Sequence, residues 1–241
     1  MSAKLVLVSG GSRGLGQALC AAYMALGYKV VEFSRSAPAP YSVATDFADP
    51  EQAARVFEDT MRPLAAESWG EIVVIHNAGV LDPIGAVTNK RTTQVLDNIN
   101  TNITAAMLFL REAMRQFQSH ACRKTLVNVS SGAARKGYAG WSLYCAGKAA
   151  LENFVRAVAL EQGQEASPFV VLNVDPGVMD TEMQATIRET SVEDFPDVDR
   201  FIQRKLLGTL RPAKDIAAAI VRIVASEQES GSRVDAAEFL A

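Results

Sequence analysis

The chain has 241 residues, of which 49% are apolar, and a formal net charge of −3. This length and apolar content predict one α/β domain, residues 1–241, with a large buried core. Its lysines and arginines are scattered, and no apolar run approaches the roughly 18 residues of a membrane span. We therefore expect neither nucleic acid nor a membrane as partner.

The cysteines and histidines bear on metal binding and on the cellular compartment. Cys20, Cys122 and Cys145 are an odd number with no paired spacing, which is typical of reduced thiols in a cytoplasmic protein. His76 and His120 lie in unrelated segments, so the sequence predicts no metal site.

The chain begins with a strand, a glycine-rich loop and a helix. Lys4–Ser9 is short and β-branched, as in a buried parallel strand, and Leu15–Leu26 has the spacing of an amphipathic helix. Glycines in such a loop let the backbone approach a pyrophosphate at the positive end of the helix. An ordinary strand-to-helix turn is the alternative. The loop residues predicted to bind a dinucleotide are Gly10, Ser12, Arg13, Gly14, Leu15 and Gly16.

The second strand, Lys29–Phe33, ends where dinucleotide-binding folds contact the adenosine ribose. An acid there selects NAD, whereas here Ser34 is followed by Arg35, which suits the 2′-phosphate of NADP. Arg13 is a second candidate for that phosphate. Glu32 is the competing ribose ligand, but strand alternation puts it two residues early and off the site.

The next segments alternate between strands and helices. Asp46, at a strand end, is placed to face an adenine amino group. For Asn77 a role in a turn or in bridging strands is the alternative to nucleotide contact. The predicted elements are a loop at Ser36–Pro40, a strand at Tyr41–Thr45, a helix at Pro50–Ala66 capped by Asp49, and a strand at Glu71–Ile75 followed by the small nucleotide-contacting residues Asn77, Ala78 and Gly79.

A long helical pattern covers Arg91–Gln118, but it contains three asparagines at alternate positions, Asn98, Asn100 and Asn102. Asparagine is a poor helix former. The three residues indicate either a surface face or a local break that frees a backbone carbonyl to hold water.

Ser131, Tyr144 and Lys148 are the residues most suited to chemistry. Ser131 follows the apolar run Thr125–Ser130, so its hydroxyl is expected at the carboxyl end of a strand, where open α/β sheets bind ligands. If a helix begins near Trp141, Tyr144 and Lys148 share one face, and the ammonium lowers the pKa of the phenol. A tyrosine and a lysine four residues apart also occur by chance in many helices.

The last third of the chain contains a strand, a lid segment and a closing helix. Phe169–Val174 is predicted to be a strand that stops at Asp175-Pro176-Gly177. Val178–Leu210 lacks a strand pattern and is expected to cover the strand ends as a substrate lid. Asp215–Ala225 is expected to be a helix.

Together these segments resemble the short-chain dehydrogenase/reductase family over essentially the whole chain. Ser9 through Gly16 is similar to its TGxxxGxG loop with serine for threonine, and His76 through Gly79 is similar to its NNAG motif with histidine for the first asparagine. The resemblance implies a Rossmann-type, doubly wound parallel sheet of about seven strands with helices on both faces. Further matches are the catalytic tetrad Asn102, Ser131, Tyr144 and Lys148, and the nicotinamide-contacting PGxxxT segment with Pro176, Gly177, Val178 and Thr181.

Within the family, three segments resemble sepiapterin reductases, namely Gly140–Ala150, Val178–Ser191 and Ser230–Asp235. On that resemblance Trp141, Met183 and Asp235 join Ser131 and Tyr144 as substrate-binding residues, with Asp235 holding a pterin. Bacterial reductases of diketones such as benzil share much of this pattern, so both substrate classes stay open.

The resemblance implies an NADPH-dependent carbonyl reductase for a small-molecule ketone or diketone. Tyr144 would donate a proton to the carbonyl oxygen and Ser131 would hydrogen-bond it. Lys148 would lower the pKa of the tyrosine and hold the nicotinamide ribose, and Asn102 would keep a water that relays protons to Lys148. A non-catalytic NADP-sensing protein is the rival, and it would tend to lose Tyr144 or Lys148. We expect a homodimer or homotetramer.

Overall fold

A seven-stranded parallel sheet forms the centre of the computed structural model, which describes residues 2–240. The spatial order of the strands is β3-β2-β1-β4-β5-β6-β7, and every neighbouring pair is parallel. The strands are β1 (Lys4–Ser9), β2 (Lys29–Ser34), β3 (Ser42–Ala44), β4 (Glu71–His76), β5 (Arg123–Val129), β6 (Val170–Asp175) and β7 (Arg233–Asp235).

Helices cover both faces of the sheet, which confirms the predicted doubly wound arrangement. Apolar side chains of α1 and α8 pack on one face, and those of α2, α4 and α5 pack on the other. The helices are α1 (Gly14–Ala25), α2 (Pro50–Ala65), α3 (Thr92–Ile99), α4 (Ala105–Phe117), α5 (Ser142–Gln162), α6 (Glu182–Glu189), α7 (Val198–Leu206) and α8 (Ala213–Ala225).

The predicted elements form for the reasons that their sequences suggest. The central strands are apolar because both of their faces are covered, and residues 5–9 of β1 are all buried. Asp49 accepts a hydrogen bond from the backbone of Gln52 at 3.0 Å and so caps α2 as expected. Between α2, α4 and the sheet, the rings of Phe33, Phe57 and Phe109 meet edge to face.

The long helical pattern at Arg91–Gln118 is not one regular helix. A π-helical turn at Asn100–Thr104 separates α3 from α4, and in it the Ala105 N–H reaches back five residues to the carbonyl of Asn100. The prediction of a local break at the asparagines is therefore confirmed. Such turns are rare in helices and are frequent at functional sites.

The strand order reverses between β1 and β4, which are neighbours at the centre of the sheet. Connections leave these two strands in opposite directions and open a crevice at their carboxyl ends, where ligands of such folds bind. The predicted lid consists of α6 and α7, which follow β6 at this same edge. None of the helices within residues 2–240 has the length and apolarity that crossing a bilayer requires.

Candidate active site

A cleft of about 430 Å³ opens at the carboxyl ends of β1, β2, β4 and β5. This volume is within the range of small-molecule and cofactor sites. Most residues predicted to bind a dinucleotide or substrate line the cleft. They are Gly10, Ser12, Arg13, Gly14, Leu15, Ser34, Arg35, Asp46, Asn77, Ala78, Gly79, Tyr144, Lys148, Pro176, Thr181 and Met183.

The other predicted residues are not among those that line the cleft. Some of them support residues that line the cleft, as described below, and their direct contact with a ligand stays a prediction. They are Gly16, Asn102, Ser131, Trp141, Gly177, Val178 and Asp235.

The glycine loop is packed so closely that side chains are excluded from two positions. A Cβ at Gly16 would lie 2.0 Å from the carbonyl oxygen of Gly10, and a Cβ at Gly10, where φ is +70°, would lie 2.8 Å from the Cα of Ala78. Asn77 ties the loop to β4, because its Nδ2 donates to the Gly10 carbonyl at 2.9 Å. The backbone at the start of α1 is thereby held open for an anionic group.

His76 supports the same corner from inside the sheet. The Ser9 hydroxyl accepts hydrogen bonds from the backbone N–H groups of Asn77 and Ala78, at 3.0 and 3.1 Å. Its own hydrogen is therefore donated to Nδ1 of His76, 2.8 Å away, so the imidazole is neutral and protonated on Nε2. Burial lowers the pKa of His76 to about 3. Histidine thus replaces asparagine in the motif as a fixed acceptor for Ser9.

The end of β2 carries a buried acid, Glu32, and an exposed cation, Arg35. Glu32 is fully buried, and its carboxylate accepts from the Gly11 N–H at 3.1 Å and from the Ser34 hydroxyl at 3.0 Å. The carboxylate of Glu32 therefore binds the backbone of the glycine loop. Arg35 is exposed at the cleft, where Arg13 forms an ion pair with Glu182 of the lid helix α6.

Asn102 is buried in the π-helical turn and uses its amide to fix the loop after β4. Its Oδ1 accepts from the Val80 N–H and its Nδ2 donates to the Val80 carbonyl, both at 2.9 Å. A Cβ at Gly79 would lie 3.4 Å from Asn102 Oδ1 and 3.8 Å from Lys148 Nζ. The asparagine therefore borders the lysine across Gly79, and its predicted part in a water relay stays a prediction.

Tyr144 and Lys148 lie one turn apart on α5, as predicted, but the expected lowering of the tyrosine pKa is wrong for the protein alone. Each residue is only 7% exposed. Burial raises the pKa of Tyr144 to about 12, opposed in part by hydrogen bonding from the Ser131 side chain. Burial also lowers the pKa of Lys148 to about 8. Desolvation outweighs the attraction of the ammonium, which donates to the Val129 carbonyl at 2.8 Å.

The position of Ser131 follows from the end of β5. Its backbone is extended, and its hydroxyl accepts from the Ala133 N–H at 3.1 Å, where a short 3₁₀ turn begins. This turn packs against α5, which brings the serine side chain to the phenol of Tyr144. The Ser131 side chain therefore lies near the phenol of Tyr144, and Lys148 lies one turn further along α5. That the three groups meet at one carbonyl stays a prediction.

An aromatic cluster packs the lid against the start of α5. Trp141 stacks on Phe195 with ring centroids 4.3 Å apart and meets the Tyr144 ring edge to face at 5.8 Å. Trp141 thus packs behind the tyrosine and away from the cleft wall. Met183 of α6 lines the cleft. The lid is consequently anchored through the helix that carries the tyrosine.

Sequence reasoning missed a charged cluster beside this site. Arg233 of β7 contacts the carboxylates of Glu152 and Asp175. Glu152 carried a signal, since it is an acid one turn after Lys148 on a helix face that is buried. Asp235 itself is exposed, and its Oδ1 accepts from the Ala237 N–H at 2.9 Å.

Comparison with known proteins identifies the family. The short chain dehydrogenase family matches residues 4–192, more than half of the chain. The chain belongs to the short-chain dehydrogenase/reductase family. Its members are oxidoreductases of small-molecule substrates, and their cofactor is a nicotinamide dinucleotide.

Two relatives and one solved structure are similar over much of this short-chain dehydrogenase. The benzil reductase ((S)-benzoin forming) of Bacillus subtilis (strain 168) is 34% identical over 98% of this chain and 100% of its own length. The sepiapterin reductase of Bos taurus is 33% identical over 73% of this chain and 65% of its own length. The crystal structure of the KRED1-Pglu enzyme has a TM-score of 0.80 at 29% identity and covers 96% of this chain and 100% of its own.

The cleft of this short-chain dehydrogenase fits a nicotinamide dinucleotide. The side-chain-free approach at Gly10 and Gly16 leaves backbone room for a pyrophosphate at the start of α1. Lys148 and Tyr144 line the same cleft, and they would contact the nicotinamide half of such a cofactor. When bound, such a cofactor supplies or accepts a hydride.

Proposed function

We propose that the protein is an NADPH-dependent carbonyl reductase. The observation that carries this proposal is the phenol of Tyr144, which burial keeps protonated beside Ser131 and Lys148 at the end of the cleft. A carbonyl oxygen that gains negative charge during reduction needs a proton donor at this place. A protein that only senses a nucleotide needs no proton donor at this place and would tend to lose Tyr144 or Lys148.

The chain's own residues have separate tasks. Tyr144 donates its proton to the carbonyl oxygen, and the Ser131 hydroxyl donates a hydrogen bond to the same oxygen. Lys148 stabilises the resulting phenolate, because its ammonium lies over the Tyr144 ring, 5.8 Å from the centroid. Asn102 and Gly79 hold the loop that borders this ammonium.

The preference for NADPH over NADH rests on the end of β2. Arg35 lines the cleft and is exposed, so its guanidinium is available to a 2′-phosphate. Glu32, the acid that would prefer a free ribose, is turned into the glycine loop. Ser34 donates its hydrogen to Glu32, so in this proposal the phosphate is bound mainly by Arg35, with Arg13 as a second cation.

For the substrate, we propose an aromatic ketone or diketone as the first choice. The name of the Bacillus subtilis relative and its full-length match support a diketone. A pterin is the second candidate, supported by the sepiapterin reductase of Bos taurus and by Asp235 in register with Asp175 at the edge of the sheet. Cytoplasmic location and a homodimer or homotetramer stay predictions.

The direct experiment is a spectrophotometric assay of the purified protein with NADPH or NADH and benzil, followed by chiral analysis of the product. We expect oxidation of NADPH with formation of benzoin, and slower oxidation of NADH. If the protein binds NADPH but reduces neither benzil, simple ketones nor sepiapterin, the reductase proposal is wrong and a sensing protein is favoured.

Asp235→Asn separates the two substrate classes. The exchange gives an amide donor to the donors of a pterin, an unmatched polar contact that costs about 1–3 kcal/mol. We expect kcat/KM for sepiapterin to fall about ten-fold or more, while kcat/KM for benzil stays near the wild-type value. Equal losses on both substrates would show that Asp235 only caps the turn at Ala237. If the wild type does not reduce sepiapterin, the pterin is excluded and a diketone remains the proposed substrate.

A further inference from the structure

Arg233 connects the ends of β5 and β6 to α5 beside the proposed catalytic site. It lies on β7, and its guanidinium forms ion pairs with Glu152 of α5 and with Asp175 at the end of β6, the latter at 2.5 Å. The same group donates to the Ser130 hydroxyl and to the Ser131 carbonyl, both at 3.3 Å. One side chain thus reaches the end of β5, the end of β6 and the helix of Tyr144.

The surroundings make this contact difficult to replace. Glu152 is only 2% exposed, and it also accepts a hydrogen bond from the Ser130 hydroxyl. Arg156 pairs with Oε2 of Glu152, whereas Arg233 pairs with Oε1, so removing Arg233 leaves the buried Oε1 without its cation. A buried charge that loses a partner is unfavourable, and we expect the local structure to rearrange. The Ser131 carbonyl accepts from Arg233 and from the Ala134 N–H, and both bonds hold the turn that follows the serine.

We infer that Arg233 is a positioning residue that fixes Ser131 against the helix of Tyr144 and Lys148. The inference rests on the proposed carbonyl reductase function. It assigns to the last strand a task in catalysis that is distinct from substrate binding at Asp235. Misplacement of a reacting group by about 1 Å is enough to cost on the order of 10²-fold in rate.

The test compares Arg233→Gln, Arg233→Lys and a matched control, Arg156→Gln. Arg156 pairs with the same Glu152 carboxylate at 2.9 Å, but its exposed guanidinium donates no bond to Ser130 or Ser131 among the contacts of residues 2–240. Rates with benzil are expressed per NADPH-binding site, so that a loss of folded protein does not count. We expect Arg233→Gln to lower kcat about 10- to 100-fold with a KM for NADPH within about two-fold.

Arg233→Lys keeps the charge but not the planar guanidinium with its several donors, so its kcat should lie between those of Arg233→Gln and the wild type. Arg156→Gln should stay near the wild-type rate. When Arg233→Gln is added to Ser131→Ala, kcat should fall by less than about three-fold further, because an effect that acts through the Ser131 side chain is already lost. The same loss in both backgrounds, or an equal loss in Arg156→Gln, would overturn the inference.

Hydrogen exchange decides the inference without activity. In Arg233→Gln, amide exchange in residues 130–135 should rise at least about ten-fold above both the wild type and Arg156→Gln. Unchanged exchange in this segment would contradict the positioning role. If the wild type reduces no carbonyl compound, the proposed function fails, while the exchange result still decides whether Arg233 holds the turn at Ser131.

Discussion

The two sides of the cleft are held together by different kinds of contact. On the side of β1, β2 and β4, backbone segments approach so closely that Gly10 and Gly16 leave no space for a Cβ. On the side of β5, β6 and β7, charged side chains make the connections, and Arg233 joins partners 58 and 103 positions away in the chain. The first side is specified by short motifs, and the second by residues that meet only in the folded protein.

If this division is right, substitutions on the first side alter cofactor binding and those on the second alter turnover. Lys148 is the exception, because it lines the cleft and also borders Tyr144. Its replacement should therefore lower both turnover and cofactor affinity.

Lys148→Ala is expected to lower turnover by about 10²-fold or more, since the phenolate of Tyr144 loses its neighbouring cation. NADPH affinity should fall about 10- to 100-fold as well, because a charge-assisted hydrogen bond is lost. Steady-state kinetics and fluorescence titration with NADPH measure the two effects. Lys214→Ala, at an exposed position on α8, is the control. A loss of turnover with unchanged affinity would confine Lys148 to the catalytic side.

Arg35→Ala should act on the cofactor side alone. The KM for NADPH is expected to rise about ten-fold or more, corresponding to a charge-assisted bond of about 1.5–3 kcal/mol. The KM for NADH should hardly change, because NADH lacks the 2′-phosphate. A wild-type preference for NADH would instead mean that the acid at Glu32 leaves the glycine loop to bind the ribose.

His76→Asn tests the support of the cofactor side through stability. The buried imidazole has a pKa of about 3, against the usual 6.5, so it stays neutral while the unfolded chain takes up a proton. The wild type therefore loses stability as the pH falls through 6.5 towards 3, by about 2 kcal/mol between pH 8 and pH 5. Urea unfolding at several pH values should show a smaller loss in His76→Asn and His76→Gln. Equal pH dependence would mean that His76 is not held neutral.

Most features of the first side of the cleft could be predicted from the sequence. The glycine loop, the strand ends at Ser34 and Asn77, and the break at Asn100 were all predictable, because glycines, small residues and poor helix formers act locally. Strand bounds shifted by one or two residues, as at β3. Such shifts arise because strand ends depend on pairing with a neighbour.

The second side could be predicted only in part. Ser131, Tyr144 and Lys148 were visible from their spacing, but the direction of the tyrosine pKa was not, since it depends on how deeply α5 is buried. The cluster around Arg233 left only one local signal, the acid Glu152 on the buried face of α5. Its partners come together because β5, β6 and β7 are neighbours in the sheet, which is a property of the topology.

The central claim is that Tyr144 is the proton donor of a cleft that binds NADPH without it. The most direct measurement is Tyr144→Phe, followed by calorimetric titration with NADPH and by single-turnover reduction of benzil. We predict an unchanged Kd for NADPH and a turnover lower by about 10²- to 10⁴-fold. Tyr138→Phe, on the ring that packs against Trp141 at 5.1 Å, should keep most of the activity. Retention of more than about a tenth of the wild-type turnover in Tyr144→Phe would contradict the account.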